Sequence, residues 1–263
     1  MNTFLRTNRL SAKKNLGQNF LCSQSTLNKI IEAAEINSND VVVEIGPGLG
    51  TLTRELVQRA AKIHAVELDE NLIPFAKFHT NNSDKIKFYH QNALQFIPPE
   101  VPYKLVANIP YYITSPLLTH FLFEVKTPAL IVLLVQKEIA EKITAKEGDL
   151  SLLSLTTQAL SKPEIIEIVS ADKFYPRPKV DSAILRLRPY DQPIISFELW
   201  PKFKRLMSAA FSQKRKMLKT SLRAANLTAE EVQKLLDKSD ISNDRRPQTL
   251  SLEEWKKLVS FLN

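Results

Sequence analysis

The chain has 263 residues, 44% of them hydrophobic and 24% charged, enough to bury a sizeable core in one large domain plus a small one. No run approaches the roughly eighteen apolar residues of a membrane span, the single Cys22 excludes an intrachain disulfide, and four scattered histidines lack ligand spacing, so neither membrane nor metal is expected. The net charge of +8 is uneven: residues 1–31 carry five Lys/Arg and no acid, residues 199–229 carry eight and no acid, and the remainder sums to −5, a pattern suited to a polyanionic partner.

Met1 to Ser11 has no apolar core of the kind a secretory signal needs, so a cytoplasmic location is expected. Arg6, Arg9, Lys13 and Lys14 form a basic arm, with Lys13 and Lys14 the candidates for phosphate contact. Asn15 to Leu21 reads as a loop whose Gln18 and Asn19 amides could cover a small polar ligand. A helix is expected from Ser25 to near Asn37.

Val41 to Ile45 is an apolar run broken by Glu44, as a buried parallel strand would be. It enters Gly46-Pro47-Gly48-Leu49-Gly50, which holds three of the five glycines in the chain. Strand, glycine turn and helix make the front half of a nucleotide-binding unit. Thr51 stands where a dinucleotide fingerprint needs its third glycine, and no lysine follows in P-loop register. Glu67 ends a second strand 21 residues after Gly46, where an acid can accept from both ribose hydroxyls. A ligand with a ribose and no pyrophosphate fits, and S-adenosylmethionine is the common one.

Asn71 to Phe78 reads as a helix kinked by Pro74, and Ile86 to Tyr89 as a third strand. Asn92, just past it, could reach an adenine ring. A fourth strand, Lys104 to Ala107, ends at Asn108-Ile109-Pro110-Tyr111-Tyr112. That set suits methylation of an exocyclic amine. The N6 lone pair of adenine is delocalised into the ring, so N6 is a poor nucleophile. Hydrogen bonds from N6–H to the Asn108 oxygen and to the Ile109 or Pro110 carbonyl would orient it, while Tyr111 stacks on the flipped base.

The α/β alternation continues through Ser115–Phe123, Ala129–Val135, Gln136–Thr144 and the apolar helix Leu150–Leu160. Ile165–Val169 and Ala183–Leu187 are strands too close in sequence for a helical crossover, so they are expected antiparallel. Their connection offers Phe174 to the other face of a base, and Arg177 and Lys179 to phosphate. From Pro189 onward only helices are expected, with capping boxes at Thr228/Glu231 and Ser251/Glu254. A basic helical stretch spans Ala210 to Leu218, and Lys214, Arg215 and Lys216 in it, with Lys219 just beyond, are candidate contacts to the polyanion. The domain boundary is placed near Asp191, giving a catalytic domain over 1–190 and a basic helical domain over 191–263, which the resemblance named below implies binds RNA.

Taken in order, Asn15–Leu21, Glu44–Gly50, Glu67–Asp69, Asn108–Tyr111, Phe174–Ser182 and Ala210–Leu222 resemble the ribosomal RNA adenine dimethyltransferases, specifically the small-subunit (16S) branch. The resemblance implies an α/β fold: a seven-stranded Rossmann-like, S-adenosylmethionine-dependent methyltransferase sheet with a small helical C-terminal domain. It implies dimethylation of N6 in two adjacent adenines near the 3′ end of 16S rRNA, with 16S rRNA, the 30S subunit or its precursor as partner and a monomeric, metal-free enzyme. It also implies cofactor contacts at Asn19, Leu21, Gly46, Glu67, Asn92 and Asn108, and catalytic roles for Asn108, Pro110, Tyr111 and Phe174. Asn92 departs from the aspartate usual there. Three alternatives stand beside this reading: a 23S rRNA resistance methyltransferase, a non-catalytic RNA-binding factor on the same fold, and a small-molecule methyltransferase.

Overall fold

The computed structural model describes residues 12–13, 16–213 and 215–262, with every side chain there except that of Tyr111. A short strand β1 (Phe20–Leu21) precedes helix α1 (Gln24–Ala33), β2 (Val41–Ile45), α2 (Thr51–Val57), β3 (Lys62–Glu67), α3 (Ile73–His79) and β4 (Ile86–His90). Then come β5 (Lys104–Asn108), α4 (Thr114–Thr119), β6 (Leu130–Gln136), α5 (Lys137–Ile143), α6 (Leu152–Leu160), β7 (Ser161–Val169), β8 (Phe174–Tyr175) and β9 (Ser182–Pro189).

Seven strands form one sheet in the order β4-β3-β2-β5-β6-β9-β7. The first five in that order run parallel, and β9 runs antiparallel to β6. Central strands covered on both faces must be apolar throughout, which is why β6 buries Leu130 through Val135 without alternation. The chain winds outward from β2 through β3 to β4, then returns to place β5 on the other side of β2. The strand order therefore reverses between β2 and β5, and in open sheets of this kind ligands bind beyond the carboxyl ends at that point.

The glycine turn follows β2 directly. Gly50 has φ +81°, and a Cβ there would lie 2.9 Å from the Ala76 Cα on α3. A side chain would incur about 1–2 kcal/mol of left-handed strain besides that clash, so the close packing of turn on helix requires glycine.

Four details differ from the sequence reading. Phe20 and Leu21 are not loop but strand: they pair antiparallel with Tyr175 and Phe174, a long-range partner that local pattern does not disclose. Pro74 does not kink a helix; it sits in the first turn of α3, where its missing N–H costs nothing. The first helix runs from Gln24 to Ala33 rather than from Ser25 to near Asn37, and Ser23 caps it, its hydroxyl accepting from Thr26 N–H. The basic stretch is not one helix, because α7 (Trp200–Ser212) ends within it and α8 (Leu218–Ser221) begins only at its last residue.

The chain divides into two compact units. One joins the described residues up to Ala140 with Glu164–Pro189; the other joins Glu141–Pro163 with the residues from Tyr190 onward. The sequence reading kept 141–163 with the sheet. In the structure, backbone bonds from Tyr190 N to Leu160 O and from Ile194 N to Ala159 O tie α6 to the C-terminal part. That unit also holds α9 (Ala229–Ser239) and α10 (Leu252–Phe261). Both expected capping boxes are present. Its core centres on Trp255, fully buried and stacked on Phe211 at 6.0 Å between centroids.

Candidate active site

A cavity of about 240 Å³ opens at the carboxyl ends of β2, β3, β4 and β5. Each strand delivers one polar element to it: the Gly46–Gly50 turn after β2, Glu67 at the end of β3, Asn92 past β4 and Asn108 at the end of β5. Residues 16–21 close another side. Among the described residues the lining contains a single charged side chain, that of Glu67.

Glu67 is buried, and its carboxylate already organises the turn. Oε2 accepts from Gly48 N–H at 3.0 Å and Oε1 from Asp69 N–H at 2.9 Å. Each oxygen keeps a lone pair, so two further donors can be accepted, as a ribose diol requires. Burial pushes the Glu67 carboxyl up from its ordinary value, against the pull of the Asp69 and Gly48 backbone donors. A buried acid in a lining with no cation among the described residues disfavours a phosphate-bearing ligand and suits a cation carrying hydroxyls, which S-adenosylmethionine is. The donor set therefore fits that molecule.

Behind the turn, Glu44 is 1% exposed, and neither its Oε2 nor the neighbouring Thr53 hydroxyl has a hydrogen-bond partner of standard geometry among the described residues. Burial, partly offset by Thr53 and reinforced by the charge of Glu67, raises its pKa from 4.5 to about 8. Folding therefore takes up a proton between those values, and this group's contribution to stability falls as pH rises through that window. Glu44→Gln, which abolishes this uptake, is expected to raise the melting temperature at pH 8 more than at pH 5 by calorimetry. An equal shift at both pH values would show Glu44 to be charged throughout.

Asn108 is half-buried. Its Nδ2 donates to the Asn19 carbonyl at 3.4 Å, which leaves Oδ1, the end able to accept from an amine, without a partner among the described residues. The Pro110 carbonyl already accepts from Ile113 N–H at 3.2 Å, so the Ile109 carbonyl is the less engaged of the two neighbouring acceptors. Asn92 is exposed at the rim, and its Oδ1 accepts from Leu94 N–H at 3.0 Å.

Asn19, Leu21, Gly46, Glu67, Asn92, Asn108 and Pro110 thus meet at one cavity, as the sequence reading grouped them. Phe174 does not join them. It is 4% exposed and packs in the core with Leu21, Leu27 and Ile184, because β8 turns it inward opposite Leu21. Lys14, Lys214 and the Tyr111 side chain lie outside the described residues. Arg177, Lys179, Arg215, Lys216 and Lys219 are exposed, and Lys13 is drawn into an ion pair with Asp69 at 2.9 Å. Sequence reasoning passed over Tyr112, an exposed aromatic that also lines the cavity, and gave Asp69 no role.

Comparison with known proteins agrees with this geometry. The profile of the ribosomal RNA adenine dimethylase family matches residues 9–263. The chain belongs to that family. Among dimethylase relatives, the ribosomal RNA small subunit methyltransferase A of Dehalococcoides mccartyi strain CBDB1 is 42% identical over 95% of this chain and 88% of its own. The enzyme of the same name from Clostridium botulinum strain Kyoto is 38% identical over 98% and 97%. The fold matches a dimethyladenosine transferase of Plasmodium falciparum at TM-score 0.81, with 27% identity over 91% of this chain and 95% of that one. The 23S rRNA methyltransferase ErmE matches at TM-score 0.75, with 30% identity over 92% and 98%. The dimethylase sheet is thus the one whose switch point carries the cavity described above.

Proposed function

We propose that this protein transfers methyl groups from S-adenosylmethionine to N6 of two adjacent adenines near the 3′ end of 16S rRNA, giving N6,N6-dimethyladenosine during small-subunit biogenesis. The observation that carries the chemistry is the placing of Glu67 and Asn108 on one cavity whose lining holds no cation among the described residues. Relatives named for the small subunit, at 37–42% identity, favour 16S rRNA over the 23S substrate in the name of ErmE, at 30%.

When bound, S-adenosylmethionine supplies a methyl group made electrophilic by its sulfonium. Glu67 holds the ribose, and the turn backbone at Gly46 lies against the ligand. Asn92, lacking the charge of the usual aspartate, offers its amide to the adenine rim. Across the cavity, Asn108 Oδ1 and the Ile109 carbonyl accept the two N6–H groups of the target base, pulling the nitrogen toward a pyramidal, nucleophilic geometry. Pro110 fixes this backbone, and Tyr111 is assigned the stacking role from its sequence position. No general base is needed before attack, since the proton becomes acidic only after the methyl has arrived. Nucleoside analysis of RNA incubated with the protein and cofactor tests this directly: N6,N6-dimethyladenosine supports the reading, and methylation confined to another atom or base refutes it.

Arg177, Lys179, Arg215, Lys216 and Lys219 are proposed to meet phosphates, which position RNA without reading its sequence. Replacing Arg215, Lys216 and Lys219 by Ala should lower the log–log salt slope of RNA binding by about 0.7–0.9 per lost contact, with cofactor affinity unchanged. An unaltered slope would place the RNA elsewhere.

A further inference from the structure

Asp69 lies two residues beyond the ribose-binding acid and does not line the cavity, yet it is 4% exposed and heavily engaged. Its Oδ1 accepts from Lys13 Nζ at 2.9 Å and from the Asn71 side-chain amide at 3.0 Å, while Oδ2 accepts from Gln18 Nε2 at 3.0 Å. The Gln18 side-chain oxygen in turn accepts from Lys13 N–H at 2.8 Å. Two groups of the N-terminal segment are thereby held on one carboxylate more than fifty residues away in sequence.

That segment is the cavity wall. Leu16 to Leu21 line it, and the far end is fastened by the pairing of β1 with β8. In between it lies flat on the Asn108–Tyr112 loop. Gly17, at φ +62°, holds a conformation that favours glycine, and a Cβ there would press on the Pro110 Cβ at 3.1 Å. Phe20 covers the turn, its ring about 3.5 Å from where a Gly48 Cβ would stand, and packs on Leu49 and Leu72. The strap is therefore paired into a sheet at the β8 end and held at the Asp69 end by one ion pair and one amide. Hydrogen bonds from Lys13, Gln18 and Asn71 outweigh the desolvation that opposes them and keep Asp69 ionised at neutral pH.

The Lys13 end is also the accessible one. Its side chain is 42% exposed against 3% for Asp69, so an outside anion can reach the ammonium while the carboxylate stays covered. A phosphate and Asp69 are alternative partners for the same cation.

We propose that Asp69 is a positioning residue, holding the strap shut over the cofactor through Lys13 and Gln18, and that an RNA phosphate taking Lys13 loosens this latch so that spent cofactor is exchanged while RNA stays bound. This rests on the functional reading above and deepens it. Two methyls on one N6 consume two cofactor molecules, and the demethylated product must leave between them; opening the wall from the RNA side lets it leave without releasing the base.

The test is the release rate of S-adenosylhomocysteine from the full chain, by stopped-flow displacement at low and high salt. Lys13→Met and Asp69→Asn should each speed release by about tenfold at low salt, the scale of one charge-assisted hydrogen bond in a half-exposed pair. Lys13→Arg should restore the slow rate. Release from the unaltered protein should accelerate with salt and approach that of Lys13→Met, whose own rate stays flat. A purely structural role for Asp69 would predict no effect of Lys13→Met, an exposed change that leaves the core untouched. With 30S particles added, the unaltered protein should release product faster and Lys13→Met should not respond. Equal release rates for the unaltered protein and Lys13→Met overturn the latch whatever RNA does. Fast release in the variant with an RNA-insensitive parent overturns the coupling. Nucleosides from the same samples report separately on whether the RNA is a substrate.

Discussion

Asn108→Ala is expected to lower kcat by about 100-fold or more, with the Kd for S-adenosylmethionine nearly unchanged, because the lost oxygen positions the amine rather than holding the cofactor. The structure sharpens this expectation. Asn108 spends its Nδ2 on the Asn19 carbonyl and keeps Oδ1 toward the cavity, so the side chain is already oriented as an acceptor. Asn108→Asp keeps an oxygen there but sets a second one against the Asn19 carbonyl; it should retain more activity than Ala and less than the parent. Single-turnover kinetics and cofactor titration separate the two quantities. If kcat held and only the RNA KM rose, Asn108 would be a binding residue and the proposed orientation of N6 would fail.

The second large effect is on the cofactor. Glu67→Ala should weaken S-adenosylmethionine binding by about 1.5–3 kcal/mol, the range for hydrogen bonds to a charged group. It also removes the acceptor for Gly48 N–H and Asp69 N–H, so the glycine turn loses its tether as well. The pH dependence has a definite sign. Burial raises the Glu67 pKa, so on acidification it takes up its proton earlier than an ordinary carboxylate, and the protonated acid has one fewer acceptor site to offer. Cofactor affinity should therefore begin to fall at a higher pH than an ordinary carboxylate would set. Calorimetric titration across the carboxylate range reads both effects; unchanged affinity in Glu67→Ala would remove this residue from the site.

The centre of the sheet was readable because buried parallel strands must be apolar runs, as β2, β5 and β6 are; the edge strands β4 and β7 are part-exposed and mixed, and β7 starts at Ser161, four residues before the strand read from the sequence. The site was readable for a related reason: in this topology the residues just past the strands face one crevice, so Gly46, Glu67, Asn92 and Asn108 converge without any long-range information. What escaped depended on contacts distant in sequence. Phe20 and Leu21 read as loop because their partners in β8 lie more than 150 residues on. Phe174 looked available to a base because nothing local announces that Leu21 and Leu27 enclose it. The basic segment carries helix-forming residues, yet Lys216 N–H turns back to the Gln213 carbonyl at 2.8 Å and α8 starts only at Leu218. Asp69 was visible only as a neighbour of Glu67, since its role lies with Lys13 and Gln18.

The central claim, N6 dimethylation of small-subunit rRNA, is tested most directly with labelled S-adenosylmethionine and separately purified 30S particles, 50S particles and naked rRNAs. The modified base is then located by nuclease mapping and mass spectrometry. The expected result is N6,N6-dimethyladenosine at two adjacent adenines near the 3′ end of 16S rRNA, from an RNA of the small subunit. Label confined to 23S rRNA, or no transfer to any RNA by protein that binds the cofactor, would contradict it.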